Sequence, residues 1–487
     1  MKQDQPYGSW VSELSSQELA KGAKRLSEPR VFKDEVLWLE GRPEESGRTA
    51  LVKFDGVDVL TLGPDDLNVR TLVHEYGGGS WLPTEDGIWL SNFDDQRLWL
   101  LNDDFRPVTP EPSISKGLRY SNGVTVPDSG DTIWVVERHR ESHAHPENLL
   151  ATVNTAGTIN EVASGADFYS SPTISPDGKL LAYLSWDHPS MPWDHVRLHI
   201  AQRQNSGWAG HRVVLNGPAL QQPQFSPDGR LHIISDATGW WNIHEVDLSS
   251  NSSKPVVQDS VEFGVPGWVF GQRSYAWTND AIWCSWVDQG VGHLGRIVDS
   301  VLTETNCALT EFNGLDTLTD GRAITVAASW ETTAAVQAIG SNGACEQLSV
   351  SRPLPLARED ISIPEAIEVP GPSGRVTHAF HFAPKSSTHI CSSELPPLIV
   401  LSHGGPTGSA RSSFDPAIQY WTNRGIAVVD VNYRGSTGFG TTYRNMLRGQ
   451  WGVADTEDCI ATAQHLADNQ LVDTERLTIK GLSLIHI

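Results

Sequence analysis

Basic residues are scarce in this chain: 36 Lys and Arg stand against 59 Asp and Glu, for a formal net charge of −23. That balance removes the usual electrostatic attraction to nucleic acid or to an anionic membrane. Cysteine is sparser still. The thiols Cys284, Cys307, Cys345, Cys391 and Cys459 are odd in number and widely spaced, and none forms a C-x-x-C pair. Neither a zinc site nor a disulfide framework is expected from them. No stretch approaches the roughly 18 consecutive apolar residues of a membrane-spanning helix. The N-terminal stretch MKQDQPYGSWVSELSSQELAKG also lacks the apolar core of a secretion signal. The expectation is a cytoplasmic protein with no metal, no cofactor, and no nucleic-acid or membrane partner.

What is present is a repeat. Residues 171–186, SPTISPDGKLLAYLSW, and 222–236, QPQFSPDGRLHIISD, share a Ser-Pro-Asp-Gly turn followed by an apolar strand. Proline presets the turn and glycine takes its positive-φ corner, so the tetrapeptide reverses a hairpin. Weaker copies keep an acidic or Asn-Asp turn before a Trp- or Ile-rich strand. Together they anchor on Asp34, Asp86, Asp131, Asp177, Asp228, Asp280 and Asp320, 40 to 52 residues apart. A period of about 40 to 50 residues with several short strands is that of a β-propeller blade, and seven anchors predict seven blades. The Trp residues in these strands are expected to pack between sheets.

Residues 70–81, RTLVHEYGGGSW, break the rhythm. They lack the strand and helix that would make them a phosphate loop. The expectation is a blade turn with a structural role, with His74 and Glu75 as candidates to face a substrate channel.

A Pro-rich stretch at 351–360 ends the repeats. Domain limits are placed at 1–24 for an N-terminal segment, 25–355 for the propeller and 356–487 for the rest. Beyond the linker a hairpin near 367–382 precedes alternating elements. Buried strands are predicted within 396–406, 425–435 and 475–481. Helices are predicted at 414–424 and 453–469, the second presenting Val453, Ile460, Ala463 and Ala467 on one face. Strand and helix alternation leading to Gly481-Leu482-Ser483 is the order of an α/β-hydrolase approaching its nucleophile.

With these residues in view the sequence resembles the prolyl oligopeptidase family of serine peptidases, in its acylaminoacyl-peptidase and dipeptidyl-aminopeptidase-like branch. The matching motifs are PYGSW near the start, HEYGGG from His74, HGGP from His403, NYRGSTGFG from Asn432 and WGVADTED from Trp451. The resemblance implies a propeller capping an α/β-hydrolase domain and acting on short or N-blocked peptides through an acyl-enzyme, with no cofactor. It puts Ser483 at the nucleophile position, with the backbone N–H groups of Gly405 and Leu484 as oxyanion donors. A homo-oligomer stays open. Arg434 is expected to anchor its loop through ion pairs.

The elbow itself departs from the family pattern. Ile485 stands where the second glycine of G-x-S-x-G belongs, and Leu482 and Leu484 are bulkier than the strained turn tolerates. His486 is too close to Ser483 to act as its base, and His378, His381 and His403 lie elsewhere in the pattern. The expectation is therefore a hydrolase domain truncated at Gly481, lacking the triad acid and histidine and inactive as written. Its sheet should be loosely held, with an uncovered hydrophobic edge. Two other readings are an esterase built on the same fold and a non-catalytic propeller that binds peptides or proteins.

Overall fold

The computed structural model describes residues 2–142, 145–205, 207–371, 374–405 and 407–481. Seven four-stranded antiparallel sheets follow one another along the chain, the first opening at Arg25–Phe32 and the seventh closing at Cys345–Val350. All seven aspartate anchors fall in the same place, the turn between the first and second strand of their blade. In blade 4 the Asp177 carboxylate accepts from Ser175 Oγ at 2.6 Å and from Lys179 N at 3.1 Å, while Gly178 takes φ +68°. Asp228, Asp280 and Asp320 also bond within their own turns, whereas Asp34 accepts from Thr319 of blade 7.

Each gap between neighbouring blades holds an apolar cluster. Trp89, Leu98 and Leu100 of blade 2 meet Trp134, Val136 and Leu149 of blade 3. Leu26, Val36 and Trp38 of blade 1 meet Ile324, Val326 and Val336 of blade 7, which closes the ring by side-chain packing. The Val31 N–H adds a bond to Asp316 Oδ2 at 3.0 Å across that seam. Trp38, Trp89, Trp134 and Trp283 are fully buried second-strand residues, so they pack between sheets.

Beyond the linker lies a five-stranded sheet. Its strands are β1 (Glu365–Pro370), β2 (Val376–Phe382), β3 (Leu398–Ser402), β4 (Ala427–Asn432) and β5 (Leu477–Gly481), in the spatial order β1-β2-β4-β3-β5. The first three positions pair antiparallel, whereas β4, β3 and β5 run parallel. Helix α1 (Pro416–Thr422), capped by Asp415, covers one face. Helix α2 (Gly440–Asn445) leads to α3 (Ala454–Asp468), which covers the other face.

Two sequence expectations are corrected here. Helix α3 buries Asp455, Cys459, Thr462, Ala463 and Leu466, while Val453 and Ile460 are more than half exposed. The polar residues turn inward because Asp458 and the first-turn backbone bind Arg434, which rotates the helix away from its most apolar-looking stripe. Strand β5, expected to be buried, is exposed along its whole length, Ile479 at 64%, because it forms the outer edge of the sheet among the described residues.

The N-terminal segment is not a free preface to the propeller. Gln3–Asp4 pairs in parallel with His389–Ile390, and the Gly8 N–H bonds Arg424 O at 2.8 Å. Trp10 lies stacked against His389, so residues 3–14 are held by the hydrolase domain.

Candidate active site

In an antiparallel blade the turns between strands two and three share one face of the ring with the connections between blades. The Ser-Pro-Asp-Gly turns lie on the opposite face. Among the described residues the propeller groups that touch the hydrolase domain come from that first face, on blades 4 to 7, with Asp194 of blade 4 ion-paired to Arg448. Trp330 packs on Phe380 and Phe382, Gly290 approaches Phe439, and the Thr441 N–H bonds Gly239 O at 2.9 Å. Thr310 and Ser412 exchange side-chain to carbonyl bonds.

A buried charged cluster anchors this interface. Arg444 is ion-paired with Asp236 and lies over the Trp241 ring, with its centre 4.1 Å away. Glu262 accepts from the Gly440 N–H at 3.0 Å and from the Trp241 N–H at 3.1 Å. Burial pushes its carboxyl up to about 7, against the opposing pull of Arg444. Sequence reading missed all three charged residues, which carry no motif and lie far apart in the chain.

Strand β3 delivers His403 and Gly405 to the interdomain cleft. Gly405 adopts φ +134°, and a Cβ there would meet Thr407 N at 2.8 Å, so the turn requires glycine. Among the described residues nothing accepts the Gly405 N–H, which leaves it available to a developing oxyanion. The His403 ring is stacked on Tyr433, and its nitrogens share bonds with Gly404 O at 2.9 Å and Ser436 Oγ at 2.7 Å. Burial lowers its pKa to about 4, so the imidazole is neutral and serves to brace the turn.

Strands β3 and β5 pair in register, with Ser402 opposite Gly481. The strand that leads to the Gly405 turn and the strand that leads to Gly-x-Ser therefore end side by side. Ser483 and Leu484 themselves lie outside the described residues. Behind the turn, Arg434 grips Asp458 through Nε at 2.9 Å and Glu457 through Nη2 at 2.8 Å, and its own N–H also bonds Asp458. It anchors the glycine-rich loop and is itself buried.

The glycines of the HEYGGG segment tie it into the centre of the propeller. Gly78 pairs with Phe270, from the connection between blades 5 and 6, and the Gly79 N–H bonds Glu28 Oε1 at 2.8 Å while the Asn122 N–H bonds Gly79 O at 2.7 Å. A Cβ on Gly78 would meet Phe270 O at 2.4 Å. The glycines thus let connections from opposite sides of the ring meet across its mouth. His74 is packed among Phe168, Trp186 and Phe270 and borders an internal cavity of about 60 Å³. Desolvation lowers its pKa to about 4. Glu75 is exposed and pairs with Arg119 at 3.0 Å, while Arg119 also pairs with the buried Glu137.

No group of three or more metal-ligating side chains is assembled among the described residues, and no described helix is long and apolar enough to cross a membrane.

Comparison with known proteins decides the relationship. The chain aligns over 99% of its length with the structure of a Mycobacterium tuberculosis puromycin-hydrolyzing peptidase, covering 77% of that chain at 36% identity and a TM-score of 0.93. The profile of the prolyl oligopeptidase family matches residues 412–484. The chain belongs to the prolyl oligopeptidase family. A crystal structure of puromycin hydrolase aligns almost as well, at 33% identity and a TM-score of 0.91, with 98% of this chain and 77% of that one covered. Among curated prolyl oligopeptidase relatives, a probable dipeptidyl-peptidase 5 of Emericella nidulans is 26% identical over 377 residues, 69% of this chain and 48% of its own length. An acylamino-acid-releasing enzyme of Arabidopsis thaliana is 34% identical over 85 residues, 18% of this chain and 11% of the relative. The chain spans about half or less of the curated relatives it matches.

Proposed function

We propose that this chain carries the substrate-covering propeller and the oxyanion side of a serine peptidase that cleaves short or N-blocked peptides through an acyl-enzyme. The observation that carries the reading is the register of β3 with β5, which brings the Gly405 turn beside the strand leading to Ser483. In the whole peptidase the hydroxyl at position 483 adds to the scissile carbonyl while a general base takes its proton, and the Gly405 and Leu484 N–H groups receive the oxyanion. A peptide substrate agrees with the puromycin hydrolase structure solved as a complex with PGG, which is 33% identical to this chain.

The proposal extends to the chain's own activity. Both nitrogens of His403 are engaged, His378 is stacked on Phe439, and His381 is buried in the hairpin strand β2. All three are held by the domain's own packing, and the proposal is that the chain by itself does not turn over.

Fluorophosphonate labelling combined with hydrolysis of an aminoacyl-arylamide and of a p-nitrophenyl ester tests both parts. The expected result is no labelling and no turnover, with short peptides still binding by calorimetry. Labelling of Ser483 with arylamide turnover would overturn the inactivity and keep the peptidase. Ester turnover without arylamide turnover, or an absence of peptide binding, would overturn the peptidase reading.

A further inference from the structure

Two aromatic rings stand where the propeller meets the oxyanion turn. Trp268 belongs to the connection between blades 5 and 6, and its Nε1–H donates to Thr407 O at 2.7 Å, two residues beyond Gly405. Trp193 packs behind it with ring centroids 4.5 Å apart. Tyr76, from the HEYGGG segment, meets Trp268 edge to face at 5.3 Å and is itself 61% exposed.

A large exposed aromatic side chain fixed against a buried partner at the mouth of a cleft has a cost in water, which contact with an apolar ligand removes. The indole is held by a hydrogen bond at one end and by Trp193 at its side, so it offers a rigid face that loses little entropy on contact. Glu75 beside Tyr76 is turned toward Arg119, with which it pairs at 3.0 Å.

We propose that Tyr76 and Trp268 form an aromatic wall that selects peptides with a bulky apolar or aromatic side chain next to the scissile bond. The inference rests on the peptidase reading for the position of that bond. It concerns selection, which binding reports without turnover.

Calorimetric titration of the full chain with matched N-acetyl dipeptide amides carrying Phe, Leu or Ala provides the test. The Phe peptide should bind about tenfold more tightly than the Ala peptide, the scale of one well-formed aromatic contact. Tyr76→Ala and Trp268→Ala should each reduce that ratio to about twofold. Trp268→Phe keeps a ring while losing the bond to Thr407, and should retain most of the ratio, which separates stacking from bracing of the turn. Equal binding of the Phe and Ala peptides, no binding at millimolar concentration, or an unchanged ratio in Tyr76→Ala would overturn the proposal. Arylamide hydrolysis in the same preparations is read separately: selectivity without the peptidase chemistry leaves the wall standing, and turnover without selectivity removes it.

Discussion

The propeller and the hydrolase sheet solve the burial of strands in different ways. Each blade is one unbroken stretch of chain whose neighbours in space are its neighbours in sequence, and its second strand is enclosed on both faces: all of Ala323–Ser329 is buried. The hydrolase sheet interleaves its strands as β1-β2-β4-β3-β5, and its outer strand β5 is exposed at every residue. A ring shares its protection among all blades through the clusters in each gap. An open sheet concentrates exposure at an edge, where unpaired backbone and apolar side chains such as Ile479 meet water.

Amide hydrogen exchange should sharpen this contrast most. Amides of Ala323–Ser329 and Thr132–Arg138 are expected to exchange roughly a hundredfold or more slowly than those of Leu477–Gly481, because edge strands open locally at low cost. Uniform protection across residues 395–481 and the blades would break the comparison.

Core substitutions probe it next. Trp134→Ala empties the contact between blades 2 and 3 and should cost the propeller about 3 to 5 kcal/mol. Arg434→Met leaves Asp458 buried without its partner and should cost the hydrolase domain about 3 kcal/mol. Calorimetry should show each change moving a different unfolding transition. If both move together, the two regions are one cooperative unit.

The smallest expected effect lies at their junction. Because the Glu262 carboxyl sits above its ordinary value of 4.5, its contribution to the folded interface is complete below that pH and is lost as pH rises through about 7. Interface stability should therefore fall between pH 4.5 and 8, by at most about 3 kcal/mol. Glu262→Gln should flatten that dependence in thermal unfolding, and a wild-type profile that stays flat would remove Glu262 from the account.

Much of the fold was legible. The Asp-anchored turns betray seven blades because each falls between the first and second strand of its blade, and at Asp177, Asp228, Asp280 and Asp320 the side chain bonds its own turn, which needs nothing from the rest of the molecule. HGGP marked the sharp turn after β3 because a backbone at φ +134° requires glycine. Less was legible of the site. His74 and Glu75 stood out for their residue types, yet packing put one imidazole among aromatic rings and the carboxylate against Arg119. Trp268 and Glu262 gave no sign, since their partners Thr407 and Gly440 lie more than a hundred residues away. Helix α3 misled because its buried polar residues answer to Arg434 rather than to hydropathy.

By itself the sequence determined the repeat, the change from blades to alternating strands and helices, and the family, all of which rest on contacts within a few dozen residues or on motifs in order. Only the tertiary structure decided that PYGSW belongs to the hydrolase domain, where Tyr7 and Trp10 crowd Gly425. It alone showed that Gly78 and Gly79 pack against Phe270 from across the ring, and that the Ser402 and Gly481 strands end together. These are pairings between distant segments, and they depend on the path of the whole chain, which local propensity does not encode.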